Sequence, residues 1–230
     1  MRYIHKNINS EAHKLLEDWN KLRRNANQKL VYDDFEHKKK LNDLLIEEQG
    51  GICCYCQQKI TELKITKTIG DSHNEHLIPQ SKREDLQTNH GNIFACCCFS
   101  SGFPEKLQHC GEAKKEKLIY EFIKWVDCNH HFKYNIKGEI MPEGCYQSFK
   151  DFVDNEASLN FKQKKALEAI TILNLNQISL KEEREKDITA LIKILNKLSA
   201  EQVQAKIEEF KIKPYKRFID MLLYYMKQKK

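Results

Sequence analysis

Apolar residues recur every three or four positions at the two ends of the chain, and they lose this spacing in the middle. The first such stretch follows a candidate helix N-cap, Ser10, and consists of Ala12, Leu15, Leu16, Trp19 and Leu22. A helix with this spacing carries one apolar stripe that packs on a neighbour. A second stripe runs from Phe35 to Leu45, and Gly50-Gly51 is expected to end its helix. We therefore predict two packing helices over residues 1–51.

Helical spacing returns in the C-terminal segment, residues 117–230. One strong helix is predicted from six apolar residues: Leu118, Ile119, Phe122, Ile123, Trp125 and Val126. A β-hairpin is predicted next, turning at Lys137-Gly138 and stopped by Pro142. Two capping boxes, led by Ser179 and Ser199, indicate further helices. Pro214 is expected in the first turn of the last helix. The buried stripe of that helix is predicted to be Phe218, Ile219, Leu222, Leu223 and Met226.

The composition fits a water-soluble, helix-rich chain. Of 230 residues, 40% are hydrophobic and 31% are charged, and only 4 Pro and 8 Gly occur, which argues against a collagen-like, disordered or turn-dense all-β protein. Apolar runs are too short to span a bilayer, and the first residues lack the apolar stretch of a secretory signal, so we expect a cytoplasmic protein. The net charge of +6 permits a polyanionic partner, although it is also an ordinary charge for solubility.

Nine cysteines, an odd number, are the first chemical signal, and six of them lie between residues 53 and 98. In a reducing compartment they indicate metal binding or catalysis rather than disulfides. Cys53-x-x-Cys56 has the spacing of a zinc knuckle. A tetrahedral ion needs two more ligands, and the candidates are Cys96, Cys97, Cys98 and Cys110. The competing interpretation is that such cysteines are small buried apolar residues. We expect packing roles for Cys128 and Cys145, and none for Cys54 in metal binding.

Glu75-His76 lies between the two groups of cysteines. A histidine, with an unperturbed pKa of about 6.5, can take a proton from water near neutral pH, and a neighbouring carboxylate can hold a divalent metal ion on a phosphate. These are the two requirements of phosphodiester hydrolysis. The order His73-Asn74-Glu75-His76 excludes the HExxH zinc protease. The competing interpretation is a solvated Glu-His pair. Basic residues that could contact phosphates nearby are Lys82, Arg83, Lys106 and Lys114.

Four stretches in this order resemble an HNH (ββα-metal) nuclease of the zinc-stapled kind. They are Cys53 to Cys56, Glu75-His76-Leu77-Ile78-Pro79, Asn92 to Cys97, and Cys110-Gly111-Glu112-Ala113-Lys114. More narrowly, the chain is similar to the HNH subunit of Septu anti-phage systems and of related retron systems, which is PtuB-like. The match is strongest over about residues 50–116 and weaker over most of the chain.

The resemblance implies an α+β fold, mostly helical, with a zinc-stapled ββα core over residues 52–116 between helical segments 1–51 and 117–230. It implies that His76 is the general base, that Glu75 binds a catalytic Mg²⁺ or other divalent cation, and that Asn92 is the middle residue of the triplet and aims His76. The structural Zn²⁺ ligands that it implies are Cys53, Cys56, Cys97 and Cys110. The third triplet position holds Gly111, so the second ligand of the catalytic cation is open; Glu112 and His109 are candidates.

The resemblance further implies a metal-dependent endonuclease, with DNA as the expected substrate. It would act as the effector subunit of an anti-phage complex with an ATPase subunit, PtuA-like, that docks on residues 117–230. The chain has no Gly-x-x-x-x-Gly-Lys-[Ser/Thr] loop of its own for a nucleotide. The alternatives are an effector that cleaves RNA such as tRNA, a free-standing toxin, and a non-catalytic zinc-stapled module that binds nucleic acid. The extra helices could also merely complete the core.

Overall fold

The computed structural model describes residues 1–60 and 71–229, so residues 61–70 of the predicted core lie outside the described residues. Within the described ranges the elements are α1 (Glu11–Asn25), α2 (Lys38–Glu48), β1 (Ser72–His76), β2 (Ile93–Cys97), α3 (Gly111–Lys114), β3 (Phe132–Tyr134), β4 (Ile140–Pro142), α4 (Phe149–Asp154), α5 (Phe161–Ile172), α6 (Ile178–Leu195), α7 (Ala200–Phe210) and α8 (Ile219–Gln228). No helix in these ranges is both long and apolar enough to cross a membrane.

The predicted start of the first helix and the predicted end of the second are both present. The Ser10 hydroxyl accepts a hydrogen bond from the backbone N–H of His13 at 3.2 Å, which caps α1. Helix α2 is followed by Gly50 and Gly51, whose φ angles of 71° and 77° lie in the left-handed region that favours glycine. Both predicted helices are therefore confirmed.

A ββα unit lies at the centre of the chain. Strands β1 and β2 pair antiparallel, with Glu75 opposite Phe94 and His76 opposite Ile93, and α3 follows them. Every residue of β2 is buried. The Gln49 side chain, just after α2, donates to the Ala95 carbonyl at 2.9 Å and so ties the N-terminal helices to this strand. The fold class is α+β and mostly helical, as predicted.

One large cluster of buried apolar side chains includes residues from all three predicted segments. Leu16 and Leu45 come from the first segment, Phe94 comes from the second, and Ile170 and Phe218 come from the third. The ββα unit is therefore held by hydrophobic packing from both ends of the chain. This packing fixes the strands that carry the candidate site.

The helix predicted over residues 118–126 is wrong. The segment contains only a short 3₁₀ turn, Phe122–Lys124, and Leu118 and Val126 are exposed. The backbone N–H of Ile4 donates to the Ile123 carbonyl at 2.9 Å. That carbonyl is therefore bonded to the N-terminal residues and not to a helical turn. Phe122 packs in a group of aromatic rings with Tyr120, Trp125, His131 and Phe132. Tertiary contacts thus override a local apolar pattern.

The hairpin is confirmed as β3 and β4, and the capping box of Ser199 with Gln202 is present at the start of α7. The box predicted at Ser179 is wrong, because α6 begins earlier and the Gln177 side chain accepts from the Ser179 N–H at 2.8 Å. Pro214 does not start the last helix, which begins at Ile219. The predicted buried stripe of α8 is confirmed: Phe218, Ile219, Leu222, Leu223 and Met226 are all buried.

Candidate active site and metal centre

Glu75 and His76 are neighbours at the end of β1, and both are buried. Successive side chains of a strand point to opposite faces. Glu75 contacts Lys114 of α3, whereas His76 contacts Tyr32 and the carbonyl of Gln87. The two predicted residues are therefore adjacent at the end of β1, but their side chains lie on opposite faces and contact different residues.

The ring of His76 is held in one tautomer. Its Nε2 lies 2.7 Å from the Gln87 carbonyl oxygen, and because a carbonyl can only accept, Nε2 carries the proton. In the neutral ring the lone pair is then on Nδ1, which lies 3.5 Å from the Gln80 amide nitrogen. The ring packs nearly perpendicular to the Tyr32 ring, with 4.6 Å between the two ring centres. Burial lowers the pKa of His76, so the ring is neutral and Nδ1 can accept a proton.

Asn92 holds the chain that follows His76. Its side-chain oxygen accepts from the Ile78 N–H at 2.9 Å, and its amide nitrogen donates to the Ile78 carbonyl at 3.0 Å and to the Leu86 carbonyl at 3.3 Å. The backbone carbonyl of Asn92 accepts from the Leu77 N–H at 2.9 Å. Asn92 is 1% exposed. Asn92 thus links Leu77 and Ile78, the two residues after His76, to the loop that contains Gln87, whose carbonyl accepts from the His76 ring.

The carboxylate of Glu75 has different partners on its two oxygens. Lys114 Nζ lies 2.7 Å from Oε1, and the Tyr55 hydroxyl donates to the same oxygen at 3.2 Å. His73 Nε2 lies 3.5 Å from Oε2. Burial raises the pKa of Glu75, but the hydrogen bond of His73 and the charge of Lys114 outweigh it, so the pKa is lower than usual and the carboxylate is ionised. One of its oxygens, Oε2, can serve a metal ion while the other stays with Lys114.

Sequence reasoning missed His73 as a functional candidate and expected a different role for Lys114. Lys114 was expected to contact phosphates, but it is 1% exposed and donates to the His76 carbonyl at 2.9 Å as well as binding Glu75. Burial lowers the pKa of His73, but hydrogen bonds with Cys98 and Glu75 raise it to about 11, so His73 and Glu75 form an ion pair. Strand alternation was the signal for His73, because residues 73 and 75 share one face.

The two candidates offered for a second cation ligand lie in different places. His109 Nδ1 is 3.3 Å from the sulfur of Cys110 and 3.9 Å from that of Cys97, so it belongs to the cysteine group. Glu112 is half-buried on α3, and within the described residues it makes no hydrogen bond or ion pair. Neither is brought to Glu75 by a contact among these residues.

Five buried cysteines and His109 form the cysteine cluster. Its ligand atoms fall into two groups in which all atoms lie within 4.8 Å of one another: Cys53, Cys96, Cys97 and Cys110, and Cys56, Cys97, His109 and Cys110. Sulfur–sulfur distances are 3.9 Å for Cys53 with Cys110 and 3.6 Å for Cys56 with Cys97. Zinc–sulfur bonds of about 2.3 Å at tetrahedral angles put sulfurs about 3.8 Å apart. The cluster can therefore hold a metal ion such as zinc.

The local chain brings these thiols together from three places. Cys53 and Cys56 stand on a turn closed by Gln57, whose φ is 66°, and the Cys53 N–H donates to the Gln58 carbonyl at 2.9 Å. Cys97 ends β2, and Cys110 directly precedes α3. Cys54, expected to take no part in metal binding, is buried and belongs to neither group. Of the two cysteines expected to pack, Cys128 is buried, whereas Cys145 is exposed, so that expectation is wrong for Cys145.

No protein-family model matches the chain. Over 167 residues, 70% of its own length and 70% of the relative's, it is 32% identical to a protein of Vibrio cholerae serotype O1 biovar El Tor named "Retron Vc95 putative HNH endonuclease".

Proposed function

The chain belongs to the HNH endonuclease family, and on that premise we propose that it hydrolyses phosphodiester bonds of DNA, with His76 as the general base. The observation that carries this assignment is the fixed tautomer of His76. Its Nε2 proton is committed to the Gln87 carbonyl, which leaves Nδ1 as the proton acceptor.

In this proposal His76 Nδ1 removes the proton of the attacking water. Asn92 keeps the ring in place by fastening Leu77 and Ile78 to the loop of Gln87. Glu75, through Oε2, is the ligand for a divalent cation such as Mg²⁺, which when bound neutralises charge on the phosphate and the leaving oxygen. Lys114 holds Glu75 from the other oxygen, so the carboxylate is pre-positioned.

We assign the structural zinc to four thiolates: Cys53, Cys56, Cys97 and Cys110. Cys97 and Cys110 belong to both groups of mutually close ligand atoms, and Cys53 and Cys56 each belong to one of them. Four cysteines form a closed structural site. The zinc therefore has a structural role in this proposal, and the hydrolytic chemistry belongs to Glu75 and His76.

The proposed biological role is that of an effector subunit in an anti-phage complex of the Septu or retron kind. The word retron in the relative's name supports it, as does the similarity to PtuB-like subunits. Residues 117–230 are proposed to dock an ATPase subunit, because large apolar side chains remain exposed there: Val126, Ile136, Phe161, Ile178, Ile194 and Ile212. The nuclease itself lies in residues 52–116.

The test compares cleavage of plasmid DNA and of total tRNA, with Mg²⁺ and separately with Mn²⁺, by wild type, His76→Gln and His130→Ala. All are co-purified with the product of the adjacent gene. A glutamine at 76 can still donate to the Gln87 carbonyl but cannot act as the base. His130 is an exposed histidine outside the site and serves as the control.

We expect wild type and His130→Ala to cut DNA and His76→Gln to have lost cleavage, with unchanged circular dichroism and zinc content. Cleavage that persists in His76→Gln would contradict the assignment of the base. Cleavage of tRNA alone would replace DNA by RNA as the substrate. Nucleic acid bound but not cut by wild type would favour the non-catalytic binding module.

A further inference from the structure

Helix α3 begins beside Glu75 with a residue that has no side chain. A Cβ atom added to Gly111 would lie 2.7 Å from His73 Nε2 and 2.8 Å from Glu75 Oε2, closer than real Cβ contacts. The imidazole of His73 therefore fills the space that a side chain at position 111 would enter. The glycine and the histidine form one complementary arrangement.

Three elements fix this arrangement. On β1, His73 and Glu75 are two residues apart and so face the same side, and His73 is paired with Cys96 of β2. The Gly111 N–H lies 3.3 Å from the Cys96 sulfur, to which it donates, so the start of α3 is pinned to the residue opposite His73. The position of the His73 ring between Glu75 and α3 follows from the backbone and not from a mobile loop.

We propose that His73 is the second protein ligand of the divalent cation whose first ligand is Glu75 Oε2, which rests on the proposed function. Two neighbouring ligand atoms of an octahedral ion, each about 2.1 Å from it, lie about 3.0 Å apart. Nε2 and Oε2, which are 3.5 Å apart, therefore need to approach each other only slightly to share one ion. The ion would replace the proton that His73 holds in its ion pair with Glu75. Lys114 and Tyr55 occupy the other oxygen of Glu75 and leave Oε2 to His73.

Solvent can reach this pair from one side. The side chain of His73 is 35% exposed, whereas that of Glu75 is 11% exposed. The remaining coordination positions of an ion would therefore point outward, where water and a substrate phosphate complete its shell. The competing interpretation is that the ion pair of His73 with Glu75 binds no metal and only orders β1.

We expect the pair of Glu75 and His73 to prefer some divalent ions over others. Carboxylate oxygen suits Mg²⁺, but an imidazole nitrogen favours first-row transition ions. A site made of Glu75 and His73 is expected to bind Mn²⁺ more tightly than Mg²⁺, and to lose this preference when His73 is replaced.

The experiment measures Mn²⁺ binding by electron paramagnetic resonance of the free ion, on protein whose cysteine cluster is already loaded with zinc. The variants are His73→Ala and His73→Gln, and each is also titrated with Mg²⁺ in competition with Mn²⁺. His130→Ala is the control. Zinc content and circular dichroism establish that each variant is folded.

We expect His73→Ala and His73→Gln to weaken Mn²⁺ binding by at least about ten-fold, since even indirect partners of a metal site change affinity by that factor. Both variants are also expected to lose the preference for Mn²⁺ over Mg²⁺, which an ordering role for His73 would not predict. His73→Gln with wild-type Mn²⁺ affinity overturns the inference. If His76→Gln abolishes cleavage in the same preparations, the proposed function stands even when this inference fails.

Discussion

Removing the side chain of Asn92 is the perturbation that best tests how the candidate site is held. In Asn92→Ala the N–H of Ile78 loses its acceptor, and the carbonyls of Ile78 and Leu86 lose a donor. All three groups belong to the chain between His76 and Gln87, whose carbonyl fixes the histidine ring. The substitution therefore acts on the fold and on the general base together.

The magnitude follows from the three hydrogen bonds. At about 1 kcal/mol each, they sum to about 3 kcal/mol of the free energy of unfolding. For a chain of this size that corresponds to a fall in Tm of roughly 6–12 °C. Asn92→Asp is expected to cost at least as much, because it keeps the acceptor for Ile78 but places a charged carboxylate against two carbonyl oxygens.

The assay is urea and thermal unfolding of zinc-loaded protein, with cleavage measured on the same samples well below Tm. Asn89→Ala is the matched control. Asn89 lies in the same loop, and its side chain accepts one hydrogen bond, from the Gly91 N–H at 2.8 Å, in an exposed position. We expect it to cost about 1 kcal/mol or less and to keep cleavage. If Asn92→Ala were no more destabilising than Asn89→Ala, or cut DNA at the wild-type rate, our account of Asn92 would be wrong.

Two further predictions concern the neighbouring groups. Cys110→Ser should abolish tight zinc binding and destabilise the protein by several kcal/mol, because a structural zinc contributes on the order of 10 kcal/mol. Zinc content and Tm measure this effect, with the exposed Cys145→Ser as the control. A metal-free Cys110→Ser protein that melts like wild type would refute the prediction. Lys114→Met should cost about 3 kcal/mol, since it removes the charge paired with Glu75 Oε1 and the donor to the His76 carbonyl, and leaves His73 as the ionic partner of Glu75. Denaturant unfolding measures the change in stability, and the double variant Lys114→Met with Glu75→Gln should recover part of the lost free energy of unfolding. If Lys114→Met alone were as stable as wild type, the ion pair would not stabilise the fold.

The sequence predicted those elements whose signals are local. Helix α1 follows a serine cap and an apolar stripe, and α2 stops at Gly50-Gly51, because caps and stripes depend on residues within a turn or two. The segment 118–126 failed for the opposite reason. Its apolar pattern is helical, but contacts with Ile4 and an aromatic group, distant in sequence, decide its backbone. The prediction that Pro214 starts the last helix is wrong for the same reason. The Tyr215 N–H donates to the carbonyl of Gly50, a residue distant in sequence, so the chain at Pro214 is not helical.

At the candidate site, residue chemistry alone singled out Glu75, His76 and the Cys-x-x-Cys turn. The sequence could not reveal that Lys114 is buried against Glu75, because that contact joins β1 to α3 across 38 intervening residues. Nor could it explain Gly111, since the reason is a space already filled by His73. The contact of Lys114 with Glu75 and the need for glycine at position 111 both depend on strand register and packing distance, which residue type alone does not reveal.

The cysteine cluster and the proposed catalytic residues Glu75 and His76 depend on the same strand pair, but only in part. Cys97 ends β2 opposite Ser72, and Cys110 precedes α3, so a metal ion between these thiols sets the distance from the strand pair to α3. That distance decides whether Lys114 reaches Glu75. His76, on the other face of β1, takes its partners from the loop of Gln87 and Asn92 instead. Loss of the proposed structural metal should therefore disturb the proposed cation ligands first and the proposed general base last, because only the side of β1 that carries Glu75 packs on the cysteine cluster.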